Sequence, residues 1–175
     1  MALISNGTTV ASGGALIGAG GDYVYITSFN GTNSYVQNCF SSSYENYVIR
    51  VQKYTTNEPL EMRLLTSGTT ENTANNYNSS NVIYTGGYLL ASNNYWRICS
   101  VASVQNGSWT INMNNPYQAV QTTYNGVGYV ESNTASNRYV GKTGGQYNGT
   151  TSHTGFRIWT NNSSVLFGDV YGVKN

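Results

Sequence analysis

The chain has 175 residues and a mass of 19.0 kDa; only 9% of its residues are charged, and eight Lys and Arg against seven Asp and Glu leave a formal charge of +1. That size fits one domain, and so few basic residues exclude the concentrated charge that nucleic acid or an anionic membrane surface would require. Asn, Ser, Thr and Gly make up 83 residues and supply the polarity, while sixteen Tyr and three Trp point to a folded chain, since disorder carries few aromatics.

From the start of the chain, Met1 to Asp22 is Gly-, Ala- and Ser-rich and reads as an N-terminal arm or a loosely attached first strand, with a sandwich domain expected over 23–175. Its weakly apolar stretch, Gly13 to Gly21, has no basic lead and fits neither a signal peptide nor a membrane span. Its glycines form no phosphate loop, because no Gly-Lys-[Ser/Thr] directly follows them. Strand signals then dominate. Tyr23-Val24-Tyr25-Ile26-Thr27 is β-branched and aromatic. In Tyr47 to Lys53, the residues Tyr47, Ile49 and Val51 share one face and Arg50 and Gln52 the other. The same period of two places Leu60, Met62 and Leu64 inward, followed by Ile98, Ile111 and Ile158 in the segments 96–98, 109–113 and 156–158. Phe167 to Lys174 makes a closing strand. Glu71 to Asn81 reads as a polar loop, and Thr122 to Thr154 as short strands between long Gly/Asn connections.

Asn-Gly pairs at 6–7, 30–31, 106–107, 125–126 and 148–149 are candidates for tight hairpin turns, because both residues tolerate positive φ, although not all are expected to turn, since Asn and Gly are abundant enough to pair by chance. Eight to ten strands at such spacing predict an all-β fold, a single antiparallel β-sandwich of jelly-roll type. A chain of this length can bury a substantial core.

Candidate chemistry is sparse. His153 is the sole histidine and lies in a polar stretch, Thr150 to Gly155, that reads as an exposed loop; with no G-x-S-x-G elbow, no hydrolytic triad is expected. A glycosidase needs two facing carboxylates about 5–10 Å apart, whereas Glu58 and Glu61 flank one strand start and read as solvated edge charges. Cys39 and Cys99 form no CxxC pair and are expected as free thiols. One histidine with scattered carboxylates makes no zinc site, so neither metal nor cofactor is expected, and no enzyme activity. The seven N-x-[ST] matches follow from the composition. Tyr77, Tyr124 and Tyr147, in Asn/Gly-rich surroundings, are the candidate surface contacts: each offers a flat apolar face with a polar tip, suited to a sugar or a protein interface.

Several segments, in order along the chain, resemble one family. These are Met1-Ala2-Leu3-Ile4-Ser5, Phe40 to Ile49 with its serine run and double tyrosine, Leu60 to Gly68, Ser108 to Pro116 ending in Asn-Pro, and the closing Tyr171-Gly172-Val173-Lys174. Together they are similar to the small β-sandwich virion structural proteins of tailed bacteriophages of aquatic bacteria, including cyanophage. The resemblance implies a non-enzymatic protein located on the virion, most simply a capsid decoration (cement) protein bound to the major capsid protein. A tail-associated receptor-binding protein and a free carbohydrate-binding module are the alternatives. It also implies other virion proteins as partners, with a host-surface glycan in the adsorption case. A near-neutral surface with few edge charges leads us to expect a homo-oligomer, such as a trimer. No nucleic acid or membrane insertion is expected.

Overall fold

The computed structural model describes residues 3–5, 8–12, 15–16, 23–56, 58–83, 86–101, 103–132, 138–160 and 165–174, and these form sixteen strands and no helix. Numbered along the chain, the strands of the larger sheet lie side by side as β1 (Leu3–Ser5), β2 (Thr8–Ser12), β3 (Ala15–Leu16), β4 (Tyr23–Asn30), β16 (Leu166–Val173), β6 (Asn46–Thr56), β12 (Val104–Asn114), β13 (Thr122–Ser132), β14 (Arg138–Tyr147), β9 (Tyr77–Ile83) and β10 (Gly86–Asn93). The smaller sheet runs β11 (Trp96–Cys99), β7 (Leu60–Ser67), β15 (Gly155–Trp159) and β5 (Asn33–Val36), with the short β8 (Thr70–Glu71) paired to β7. Every pairing is antiparallel. The chain is thus an all-β antiparallel sandwich, as the alternating pattern predicts.

Burial follows the period of two. Leu60, Met62, Leu64, Ile98, Ile111 and Ile158 are all inaccessible to solvent, as expected, and each such side chain contributes roughly 1.5–3 kcal/mol through removal from water. Aromatic contacts join the layers: Phe29 of β4 meets Phe156 of β15 edge-on with ring centroids 5.9 Å apart, and Trp96 of β11 lies 4.8 Å from Tyr124 of β13. Cys39 and Cys99 are buried free thiols, and burial pushes both thiol pKa values up.

Three expectations about the local structure are corrected. The Thr122 to Thr154 region contains two long strands, β13 and β14, and Asn125-Gly126 lies within β13 instead of turning. The reason is packing: a Cβ on Gly126 would sit 2.8 Å from the Thr110 carbonyl, and one on Gly128 would sit 2.2 Å from the Trp109 ring. Asn106-Gly107 likewise falls within β12, and of the Asn-Gly pairs Asn30-Gly31 makes a turn, with φ +120° at Gly31 where the chain crosses between sheets. Asn6-Gly7 lies outside the described residues, and Asn148-Gly149 follows β14. The supposed loop 71–81 holds the last residue of β8 and most of β9, whose polar Ser79 and Asn81 face inward. Their polarity hides the alternation, yet they are used: Ser79 Oγ accepts from the Arg97 N–H (3.2 Å), and Asn81 Oδ1 from the Ser100 hydroxyl (2.8 Å).

Of the arm expected over Met1 to Asp22, β1, β2 and β3 pair in succession, and a single register pair, Leu16 with Tyr23, joins them to β4. The rest of that segment lies outside the described residues.

Candidate functional site

The three tyrosines proposed as surface contacts do come together, but inside. Tyr77, Tyr124 and Tyr147 are 0%, 3% and 2% exposed, so their expected surface role is corrected. Each occupies an inward position of its strand, and together with Trp96 they form one aromatic cluster. Tyr77 lies 4.9 Å from Tyr147 and 5.2 Å from Trp96. Their hydroxyls are satisfied internally: Tyr77 donates to the Asn72 carbonyl (3.0 Å), Tyr147 accepts from Asn72 Nδ2 (2.8 Å), and Tyr124 bonds to Thr143 Oγ1 (3.2 Å). Burial raises the phenol pKa of Tyr77 and Tyr124.

His153 belongs to the same cluster, which corrects its reading as an exposed loop residue. It is fully buried, its backbone N–H donates to the Pro116 carbonyl (2.8 Å), and its ring stands edge-on to Tyr147 at 5.0 Å. The backbone N–H of Ala74 donates to Asn72 Oδ1 (3.2 Å), which orients the amide so that Nδ2 faces Nε2 of His153 at 2.9 Å. Nε2 is therefore the acceptor, and the imidazole proton sits on Nδ1, which is buried without a partner. Burial lowers its pKa to about 4. This histidine is neutral and enclosed.

The outer face of the smaller sheet carries a network of five charged side chains, Arg63, Arg97, Arg157, Glu61 and Glu71. Arg157 is registered opposite Arg63, and Glu71 bridges the pair, accepting from Arg157 Nη1 (2.7 Å), from Arg63 Nη1 and from the Tyr35 hydroxyl (2.7 Å). Burial alone would raise the Glu71 pKa, but these hydrogen bonds and the two guanidinium groups hold it below the usual carboxylate range. Trp159 is covered by Arg157 at 4.6 Å and Arg63 at 5.4 Å from its ring centroid. Glu61, expected as a solvated edge charge, is instead buried and accepts from Arg97 Nη2 (2.9 Å) and Nε (3.1 Å). Burial raises its pKa against that pairing. Glu61 is buried because register places it between Arg97 of β11 and Trp159 of β15, whose large side chains flank it on either side. Donors and acceptors here are spent on one another, and Trp159 is only 6% exposed.

The outer face of the larger sheet is different. Alternation along β4 points Tyr23 and Tyr25 outward, 38% and 44% exposed. Register places Tyr171 of β16 opposite Tyr25, edge-on to both rings at 6.0 and 6.5 Å. Arg50 of β6 lies over Tyr171 at 5.0 Å and over Tyr23 at 5.8 Å, and among the described residues it pairs with no carboxylate. Asp169, opposite Arg50 in register, accepts from Ser28 Oγ (2.8 Å) on one oxygen and from Gln52 Nε2 on the other. Since Ser28 spends its proton on Asp169, the Tyr25 hydroxyl donates to Ser28 (2.7 Å). Burial, then the nearby Asp169 charge, raises the Tyr171 pKa. From Arg50 and Gln52 a shallow groove of about 370 Å³ continues past Thr110 to Val127, Tyr129 and Val140.

Sequence reasoning missed this face because it looked for tyrosines in polar loops. The available signal was the Tyr-x-Tyr alternation at 23–25, which puts two rings on one side of a strand. Among the described residues no group of three His, Cys, Asp or Glu side chains could hold a metal ion. No protein-family model, curated protein or solved structure matches the chain.

Proposed function

We propose that this chain is a non-enzymatic structural protein of the virion surface of a tailed phage, acting as a capsid decoration protein that binds the major capsid protein and its own copies. The observation that carries the reading is the composition of the larger sheet's two terminal strands. β10, eight residues long, and β1 contain no charged residue and no proline, the devices that ordinarily keep a sheet edge from pairing with another chain. Edges of this kind suit a protein that lives beside copies of itself, and many modest contacts then add up by avidity. The single-pair attachment of β1–β3 suits a segment that reaches a neighbouring subunit. The engagement of Glu61, Glu71 and His153 in internal networks also supports a non-enzymatic role.

The test uses undecorated capsids. The full chain should bind them, associate as a trimer in sedimentation, and lose binding when residues 1–21 are deleted while the sandwich stays folded. Equal decoration by the truncated chain would refute the arm's role. Binding of the full chain to host cells but not to capsids would replace this reading with a tail-associated adsorption protein, the second reading, which the outward tyrosines favour.

A further inference from the structure

We propose that the outer face of β4, β16 and β6, with the groove that continues from it, binds a neutral oligosaccharide. The inference is independent of where on a virion the chain sits. A pyranose ring has a face of C–H bonds and an edge crowded with hydroxyls. It therefore needs an aromatic face beside fixed polar groups, and the negative face of an aromatic ring attracts the weakly positive C–H hydrogens. Tyr23 and Tyr25 supply exposed rings, wedged upright by Tyr171. Next to them Ser28, Asp169 and Arg50 lie side by side in register, with Gln52 two residues along β6. Ser28, Gln52 and Tyr171 orient the Asp169 carboxylate, whose two oxygens together offer about four acceptor positions, leaving one for a hydroxyl. The Arg50 guanidinium, stacked on Tyr171, retains its in-plane donors.

Shape and charge narrow the ligand. From β4 to β14 the face crosses six neighbouring strands, about 24 Å at the usual strand spacing, which is a length for a chain of sugars and not for one. Asp169 offsets Arg50, and although Lys53 and Lys142 are also exposed on β6 and β14, three cations are too few for the many phosphate contacts that nucleic acid would need. All of these side chains project from strands, which hold their backbone positions more precisely than loops would.

The probe is the full chain on an array of neutral malto-, cello-, xylo- and laminari-oligosaccharides alongside acidic and neutral bacterial surface polysaccharides, with calorimetric titration of the hits at low and high salt. We expect binding to at least one neutral glycan, tighter for longer chains, and changed by less than about twofold by salt, since screening acts on charges. Tyr25→Ala should weaken it by roughly tenfold. Gln52→Ala, at an exposed position, should weaken it as well, and gives the second variant if Tyr25→Ala fails to fold. Tyr117→Ala, an exposed tyrosine elsewhere, should leave it unchanged. Free oligosaccharide binding would mark a sugar-binding module, and binding restricted to polysaccharide a host-surface receptor; either supports the proposal. No neutral glycan bound, binding only to acidic glycans that salt abolishes, or binding insensitive to both Tyr25→Ala and Gln52→Ala would overturn it.

Discussion

Acidification from pH 7 to 5 should destabilise this protein through His153 alone. Its pKa is about 4 in the folded chain and about 6.5 in an unfolded one. The folded-state value is depressed, so the unfolded chain binds the proton first, and stability falls as the pH drops below about 6.5 and levels off below about 4. The geometry gives the cause: protonation would put an N–H on Nε2 against the Asn72 amide N–H at 2.9 Å, inside a site closed to water. Linkage puts the loss at about 2 kcal/mol at pH 5, with a plateau of about 3 kcal/mol, and the loss at pH 5 corresponds to roughly 4–8 °C in melting temperature for a chain this long. Urea titrations at pH 7, 6 and 5 on the wild type and on His153→Gln measure it. The carboxylates do not mimic it in this window. Glu71, held below its usual range, also loses stability on acidification, but mainly below its unfolded pKa of about 4.3, and Glu61, whose pKa is raised, gains stability as pH falls. A wild-type stability that stays flat between pH 7 and 5, or an equal decline in His153→Gln, would refute the reasoning.

Further outcomes follow from the packing and the side-chain inventory. Met62→Ala or Ile111→Ala, both in the fully buried core, should each cost about 2–5 kcal/mol by chemical denaturation. Gly128→Ala should cost about 1–3 kcal/mol, because the added methyl meets the buried Trp109 ring at 2.2 Å; Trp109 fluorescence should shift with it. A chelator should leave the melting temperature unchanged, and a fall of several degrees restored by one metal would reveal a site that side-chain chemistry does not suggest.

What could be read from the sequence was whatever a period of two exposes. The core strands around Met62, Ile111 and Ile158 were legible because their apolar residues alternate with polar ones. β9 was not, since its inward positions include Ser79 and Asn81, and hydrophobicity cannot mark a polar residue whose partners lie on another strand. Gly126 read as a turn former because composition records the missing side chain but not the Thr110 carbonyl that requires it. The same ambiguity moved the tyrosines. Tyr77 and Tyr147 sit among Asn and Gly in the chain but against Trp96 and His153 in space. Which strands become neighbours, including the insertion of β16 between β4 and β6, is a long-range property that no local pattern encodes.

That insertion bears on synthesis. β16 is hydrogen-bonded to β4 on one side and β6 on the other, so the larger sheet has a gap at its middle until residue 173 has left the ribosome. The nascent chain therefore carries two half-sheets with open edges, one ending at β4 and the other starting at β6, and neither can close early. Domains with so many distant pairings fold slowly and expose unpaired strands while they do. Chains halted before residue 166 should accumulate as chaperone-bound or aggregated halves, and production should respond more to translation speed and chaperone supply than the stability of the finished protein would suggest.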